Sequence, residues 1–363
     1  MAMTNDAVSE ALRIEASSYN GRTAGELAIE PLSEALPRWR GLLAAARGAT
    51  LYHREPWLRA LERTYRLKLS VAILSAEGEV IAGCVFARSA HPLRRRMVSL
   101  PFSDFCPPLS LDDEARELLL HALAAHPPAP RLEIRGVEGT ARWSAERSFQ
   151  HWVLDLSRPA ASVMREMSRN FRYNAKRAAT SGVRVEKGSS TAHVRRFYRL
   201  QLDTRRRLGL PPQPLGFFAA VRDEFAPSAD VEILFATSKG RDLAALFVLR
   251  DGSELHCKWS ARATDGAQGA SHLLNTALVE EYAGQVSTLD LGRADARNAG
   301  LIRFKSEMGA RALALPYAYF PKAPRNGSSE AMGPLGRAAS RLWRRLPAPL
   351  TRVVGASLYR FFA

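Results

Sequence analysis

The chain has 363 residues, 46% of them hydrophobic, and a formal charge of +16; this suits a folded protein with two ordinary cores and argues against a disordered one. Cys84, Cys106 and Cys257 are odd in number and lack paired spacing, which argues against a disulfide framework and a zinc site. No 18 apolar residues run together and the first residues show no basic region followed by an apolar core, so a cytoplasmic protein is expected, with no metal.

The charge is local. Residues 158–207 carry 14 Lys/Arg against 3 Asp/Glu and residues 322–363 carry 8 against 1, leaving the remainder near neutral. Polyphosphate substrates, RNA and anionic lipid are the partners such charge suits.

In chain order, residues 71–87 (VAILSAEGEVIAGCVFA) read as two strands around a Glu-Gly-Glu turn. Asp104 follows in the apolar context LPFSDFCPP, where burial would raise a carboxyl's proton affinity; it reads equally as a turn cap or an arginine partner. An apolar helical run at Leu118–Leu123 precedes the strand Leu132-Glu133-Ile134. Residues 162–178 (SVMREMSRNFRYNAKRA) predict one helix, with Met164, Met167, Phe171, Ala175 and Ala178 on one face. Arg165, Arg169, Arg172 and Lys176 form a parallel cationic stripe suited to phosphate oxygens, or simply a solvated face. The helix at 197–208 stops at Gly209 before Pro211, Pro212 and Pro214. Arg205–Arg207, Arg206 among them, also suit dipole compensation in its last turn.

Residues 231–249 (VEILFATSKGRDLAALFVL) predict a second hairpin, around Lys-Gly-Arg. In ELHCKWS, alternation puts His256, Lys258 and Ser260 on one face and Cys257 and Trp259 on the other, a cleft lining or a solvent-facing edge. Gly266, Gln268 and Gly269 stand before a helix at 271–284, where backbone N–H groups are placed to hold a phosphate. A second apolar run, Leu273–Leu278, leads to the strand Leu289-Asp290-Leu291. That strand runs into Gly292, Arg293, Asp295, Arg303, Phe304 and Lys305. The tail after Arg341 has the composition of an interfacial amphipathic segment, which implies peripheral contact with an anionic membrane through 341–363; docking on the protein's own surface would look the same.

The two hairpin, helix and strand series stand about 160 residues apart, too far for a solenoid repeat and right for a duplicated domain. The expected order is an N-terminal extension (1–30), a first α/β module (31–157), a basic helical connector (158–188), a second module (189–320) and a basic amphipathic tail (321–363).

Together the duplication, RNFRYNAKRA, RRRLGLPPQP and LGRADARNAGLIRFKSEMGA give a chain that resembles the FemAB-like branch of the GNAT acyltransferase superfamily. It is similar to BioF2-like acetyltransferase-domain proteins and to FemAB-related proteins of exosortase and exopolysaccharide systems. The resemblance implies two tandem GNAT-like modules of the α/β (α+β) class, each a mixed β-sheet flanked by helices. It further implies transfer of an acyl or aminoacyl group to an amine of a cell-envelope, exopolysaccharide or peptidoglycan-type precursor. No cofactor is expected to be tightly bound; acyl-CoA or aminoacyl-tRNA would be the co-substrate. The chain departs from the family in its degenerate glycine loop at 266–270 and in lacking a long helical hairpin insertion.

Acyl transfer to an amine requires alignment, a proton acceptor and a cation or N–H group at the developing oxyanion. The resemblance gives the last role to Lys305, beside Phe304, with Arg293 on a phosphate or carboxylate; without it, Phe304 reads as core and Lys305 as a surface cation. Asp295 and Asp104 are the candidate proton acceptors. Arg169, Arg172, Lys176, Arg206, Lys258 and Ser260 complete the expected contacts with a phosphate-bearing small molecule or lipid-linked glycan. Cys257, among apolar neighbours, reads as a buried thiol. The competing function is non-catalytic RNA binding or membrane-peripheral interaction, motivated by Phe171, Tyr173, Phe197 and Tyr198 interleaved with arginine.

Overall fold

The structure, a computed structural model, describes residues 12–15, 25–89, 96–228, 230–264, 268–323, 343–344 and 359. The chain divides into two units: one runs to Arg147 and includes the segment from Leu315, and the other runs from Ser148 to Ala314 and includes residues 343, 344 and 359.

The first unit contains β1 (Leu12–Glu15), β2 (Glu26–Pro31), α1 (Leu32–Ala45), α2 (Glu55–Tyr65), β3 (Leu69–Ala76), β4 (Glu79–Arg88), β5 (Met97–Val98), β6 (Leu109–Ser110), α3 (Asp113–Ala125) and β7 (Leu132–Arg135). Helix α3 starts where the Asp112 carboxylate accepts the Ala115 N–H at 2.7 Å, with Asp113 and Glu114 in its positive first turn. Strands follow the order β1-β2-β3-β4-β5-β7, with β6 on β4.

The second unit contains β8 (Ser144–Asp155), which begins just before the boundary, then α4 (Ala160–Glu166), α5 (Arg169–Thr180), β9 (Arg184–Gly188), α6 (Thr191–Leu208) and α7 (Leu215–Phe225). It continues with β10 (Val231–Ser238), β11 (Arg241–Asp251), β12 (Glu254–Arg262), α8 (Ala270–Tyr282), β13 (Thr288–Asp295) and α9 (Ala299–Glu307). Its strand order is β8-β13-β12-β11-β10-β9. The final strand, β14 (Arg311–Phe320), has its Leu315–Phe320 half in the first unit, antiparallel to β7.

The duplication is visible in backbone detail. Glu77-Gly78 and Lys239-Gly240 each place two successive residues at positive φ (52° and 84°; 49° and 73°), the conformation that a two-residue hairpin matched to strand twist requires. A register shift follows at the same point of each hairpin, between Leu74 and Ser75 and between Ala236 and Thr237. Among the described pairings each unit has one parallel pair, β5 with β7 and β12 with β13; the rest are antiparallel. These are two tandem GNAT-like modules, each a mixed sheet flanked by helices.

The segment at 162–178 is not one helix. The Ser168 hydroxyl accepts the Phe171 N–H at 3.0 Å and so starts a new helix, α5, while Met167 is extended and buried. The single apolar stripe survives this break because Val163, Met167, Phe171 and Ala178 all enter the second core, beside Leu274, Leu278 and Leu289. The basic segment expected as a connector is thus part of the second unit's own packing. Helix α6 ends as expected, at Gly209 with φ 72°. No helix among the described residues is long and apolar enough to cross a membrane.

Candidate active site

In the second unit the parallel pairing of β12 and β13 lasts three rungs, Glu254 to Thr288, Leu255 to Leu289 and His256 to Asp290. Beyond His256, β12 follows β11, and beyond Asp290, β13 follows β8. The two strands therefore part, leaving their facing polar groups to be satisfied by something other than each other. Gly292 marks the parting on β13. Its φ of 71° suits glycine, and its N–H donates to Asp290 Oδ1 at 2.6 Å.

Lys305 serves the opened strand from across α9. Its Nζ donates to Gly292 O at 2.9 Å and Arg293 O at 3.0 Å. The residue is only 4% exposed, so an ammonium charge is held within the protein by two carbonyl dipoles at the parting of the strands. Helix α9 aims it there because Asn298 Oδ1 accepts the Leu301 N–H and starts the helix immediately after β13. Arg293 lays its guanidinium over the Phe149 ring, 4.8 Å from its centroid.

A charged cluster that reading the sequence did not reveal lies on the last parallel rung. Asp290, 4% exposed, faces two histidines: His256 Nδ1 is 3.0 Å from Oδ2 and His151 Nε2, from β8, is 2.8 Å from Oδ1. Burial pushes the Asp290 carboxyl up, but hydrogen bonds from His151 and His256 and their charges outweigh it and hold the group well below the usual carboxylate range. The available signals were an acid inside an apolar strand and a histidine before Trp152-Val153-Leu154.

Several expected residues have other positions. The register shifts at Lys258: Phe247 pairs with Trp259 and Val248 with Cys257, so one residue is extra on β12. This bulge reverses the alternation, putting Cys257 against the core beneath α8 and Trp259 against Phe217, Phe218 and Phe247. His256, Lys258 and Ser260 therefore do not share a face. Asp295 accepts from Arg297 Nε at 3.0 Å, Nη2 at 2.8 Å and its backbone N–H at 2.9 Å; Arg297 holds the carboxyl below its ordinary range, which makes it a weak proton acceptor. Asp104 belongs to the first unit, where its Oδ2 accepts from Tyr52 Oη at 2.9 Å and its backbone carbonyl from Tyr317 Oη.

At the expected phosphate loop, Gly269 has φ 93°, and a Cβ there would collide with the carbonyl oxygen of Asn174 on α5, so a neighbouring helix packs on this glycine. Gln268 is exposed in the turn before α8, and Gly266 lies outside the described residues. Phe304 packs with Phe171 and His272 at ring distances of 5.3 and 5.2 Å, tying α9 to α5 and α8. Burial pushes the Cys257 thiol up to about 12, which suits an inert sulfur.

On α5, Arg169, Arg172 and Lys176 are exposed, as a phosphate-binding stripe requires. Arg172 also donates to the Met164 and Arg165 carbonyls, capping α4 at its negative end. Arg206 donates to the Arg344 carbonyl at 3.4 Å. Of the aromatics that motivated RNA binding, Phe171, Phe197 and Tyr198 are buried, while Tyr173 is 60% exposed. Apart from residues 343, 344 and 359, the tail expected to meet a membrane lies outside the described residues.

Residues 165–306, which include the parted strands and Lys305, match the acetyltransferase (GNAT) domain family. No curated protein matches the chain by sequence. In fold it is similar to FemX (TM-score 0.59, 13% identity, covering 78% of this chain and 95% of that one). It is also similar to L-PGS from Bacillus licheniformis (0.52, 14%, 85% and 97%). A third similar structure is the DUF2156 domain assigned to a lysylphosphatidylglycerol synthetase of Agrobacterium fabrum (0.51, 12%, 79% and 91%). The family match thus covers residues 165–306, and the likeness to these structures is one of fold.

Proposed function

We propose that the second unit transfers an acyl or aminoacyl group from an activated ester or thioester to an amine of a phosphate-bearing cell-envelope or exopolysaccharide precursor. The observation that carries this reading is the buried Lys305 ammonium at the point where β12 and β13 part. An activated carbonyl lying in that parting would develop negative charge on its oxygen as the amine attacks. A fixed cation in a low-dielectric site stabilises that charge without reorganising. Arg293 would orient a phosphate or carboxylate nearby, and Arg169, Arg172 and Lys176 offer the exposed charge that diphosphate recognition needs. The lipid named for the Agrobacterium fabrum domain supports an envelope acceptor.

The test is a donor and acceptor panel with the full-length protein: acetyl-CoA and alanyl-tRNA as donors, a nucleotide-linked muropeptide and a nucleotide-linked amino sugar as acceptors. Transfer is expected from at least one donor, and Lys305→Met is expected to lower kcat by about 10²–10³-fold, the usual cost of losing an oxyanion donor. Full activity in Lys305→Met would remove the lysine from the reaction.

A further inference from the structure

Proton transfer in the second unit needs an acceptor within it: Asp295 is held by Arg297, and Asp104, a residue of the first unit, accepts from Tyr52 there. The cluster of Asp290 with two histidines meets that need in the right place. It occupies the last rung before β12 and β13 part, so it stands at the mouth of the opening in which the donor carbonyl is proposed to lie. Of the three side chains, His256 and Asp290 are 3% and 5% exposed, whereas His151 is 16% exposed. His151 also sits directly across from Arg293, next to the register shift that Gly292 introduces.

We propose, resting on the transfer reading above, that His151 accepts the proton of the attacking amine and that Asp290 and His256 are its positioning residues. His151 Nε2 lies 2.8 Å from Asp290 Oδ1, so the carboxylate stands beside the ring that would take up the proton. As the amine nitrogen bonds to the donor carbonyl carbon, an N–H proton passes to the His151 imidazole. The bond from that carbon to the donor oxygen or sulfur then breaks, and the leaving atom departs with the electron pair and takes the proton back from the imidazolium. The carboxylate stabilises the imidazolium in between, and His256, on its other oxygen, keeps it from turning away. Charged groups near the pair include Asp290 and Arg293 from β13, Glu254 from β12, whose Oε2 is 3.6 Å from His256 Nε2, and Lys305 from α9, whose Nζ donates to the Arg293 carbonyl. The corresponding rung of the first unit cannot work this way, because its acid is held by Arg96 and Arg135, and guanidinium groups do not accept protons.

The experiment is a set of pH profiles of transfer from acetyl-CoA and alanyl-tRNA by the full-length protein. In the unaltered protein kcat is expected to rise along one acidic limb, and Asp290→Asn is expected to move that limb to lower pH. In His151→Gln, kcat should fall by roughly 10²-fold or more with KM little changed, and the rising limb should vanish. His256→Gln should shift the limb without abolishing it. A His151→Gln protein that retains kcat and its limb overturns the assignment alone. If His151→Gln does not fold, Asp290→Asn decides, and a limb unmoved from that of the unaltered protein overturns the assignment. Absence of transfer from every donor by the unaltered protein overturns the transfer reading and this assignment with it.

Discussion

Both units end their parallel pair on an acid, Glu133 opposite Val98 in the first and Asp290 opposite His256 in the second, yet the two rungs are completed by opposite chemistry. Glu133 is gripped by Arg135 Nε at 2.8 Å and Arg96 Nη1 at 3.0 Å. The opening beyond it is bridged by the loop 99–106: Ser99 Oγ accepts the Arg135 N–H, the Cys106 N–H reaches the Arg135 carbonyl, and Arg135 itself donates to the carbonyls of Leu100 and Ser103. Leu100 and Phe102 adopt positive φ (57° and 67°) to make this bridge, an unfavourable conformation for bulky residues that dense hydrogen bonding must hold. In the second unit histidines replace the arginines, and a single lysine ammonium replaces the bridging loop. One duplicated scaffold therefore carries a rung closed by arginines and a rung lined by histidines. The proton transfer proposed above falls at the second.

The largest expected effect that would break this contrast is on activity. Lys305→Met should lower transfer by about 10²–10³-fold, whereas Glu133→Gln should leave the rate per folded molecule unchanged; equal losses in both variants would erase the distinction. Stability should show the reverse. Removing the Glu133 charge leaves two arginines without their carboxylate, at a cost of about 3–5 kcal/mol. Because guanidinium groups do not titrate, that loss should be the same at pH 5 and pH 8 in denaturant titrations of the first unit.

Asp290→Asn should instead give a pH-dependent difference. The folded-state carboxyl lies below its unfolded value, so its contribution is complete above the unfolded value, about 3.9, and is lost as pH falls through the folded one. The stability gap between Asp290→Asn and the unaltered protein should therefore narrow below about pH 4, as read by urea unfolding at each pH. A gap that does not change with pH would mean that the carboxylate gains nothing from its histidines.

A smaller effect sharpens the account of the helix that covers α8. Gly269→Ala demands both a left-handed conformation and room that Asn174 occupies, at roughly 1–2 kcal/mol for the first and about 1–3 kcal/mol for the second. Thermal unfolding should report that loss, and a neutral outcome would mean that α5 does not pack against Gly269. The smallest effect expected is about 1 kcal/mol from Ser168→Ala, the cap of α5.

Much of the scaffold was legible in the sequence because its signals are local. Glu-Gly and Lys-Gly turns, period-2 strands and the Gly209–Pro214 stop each state their geometry within a few residues. The break at Met167 was hidden because Val163, Met167 and Phe171 keep helical spacing across it and share one core. The bulge at Lys258 depends on β11, so alternation within β12 alone could not show it. The site was half legible for the same reason. Gly292, Arg293 and Lys305 lie in one stretch, but the histidines come from β8 and β12 and meet Asp290 only when the sheet assembles.

The central claim, that the open rung of the second unit receives the activated carbonyl, is tested most directly by photocrosslinking. Diazirine-bearing acyl-CoA and diazirine-bearing aminoacyl-tRNA would be bound to the full-length protein, and the attachment sites mapped by mass spectrometry. The account predicts attachment within 257–260 and 291–295, abolished by competing unlabelled donor. Competable attachment confined to the loop 99–106 of the first unit would contradict it.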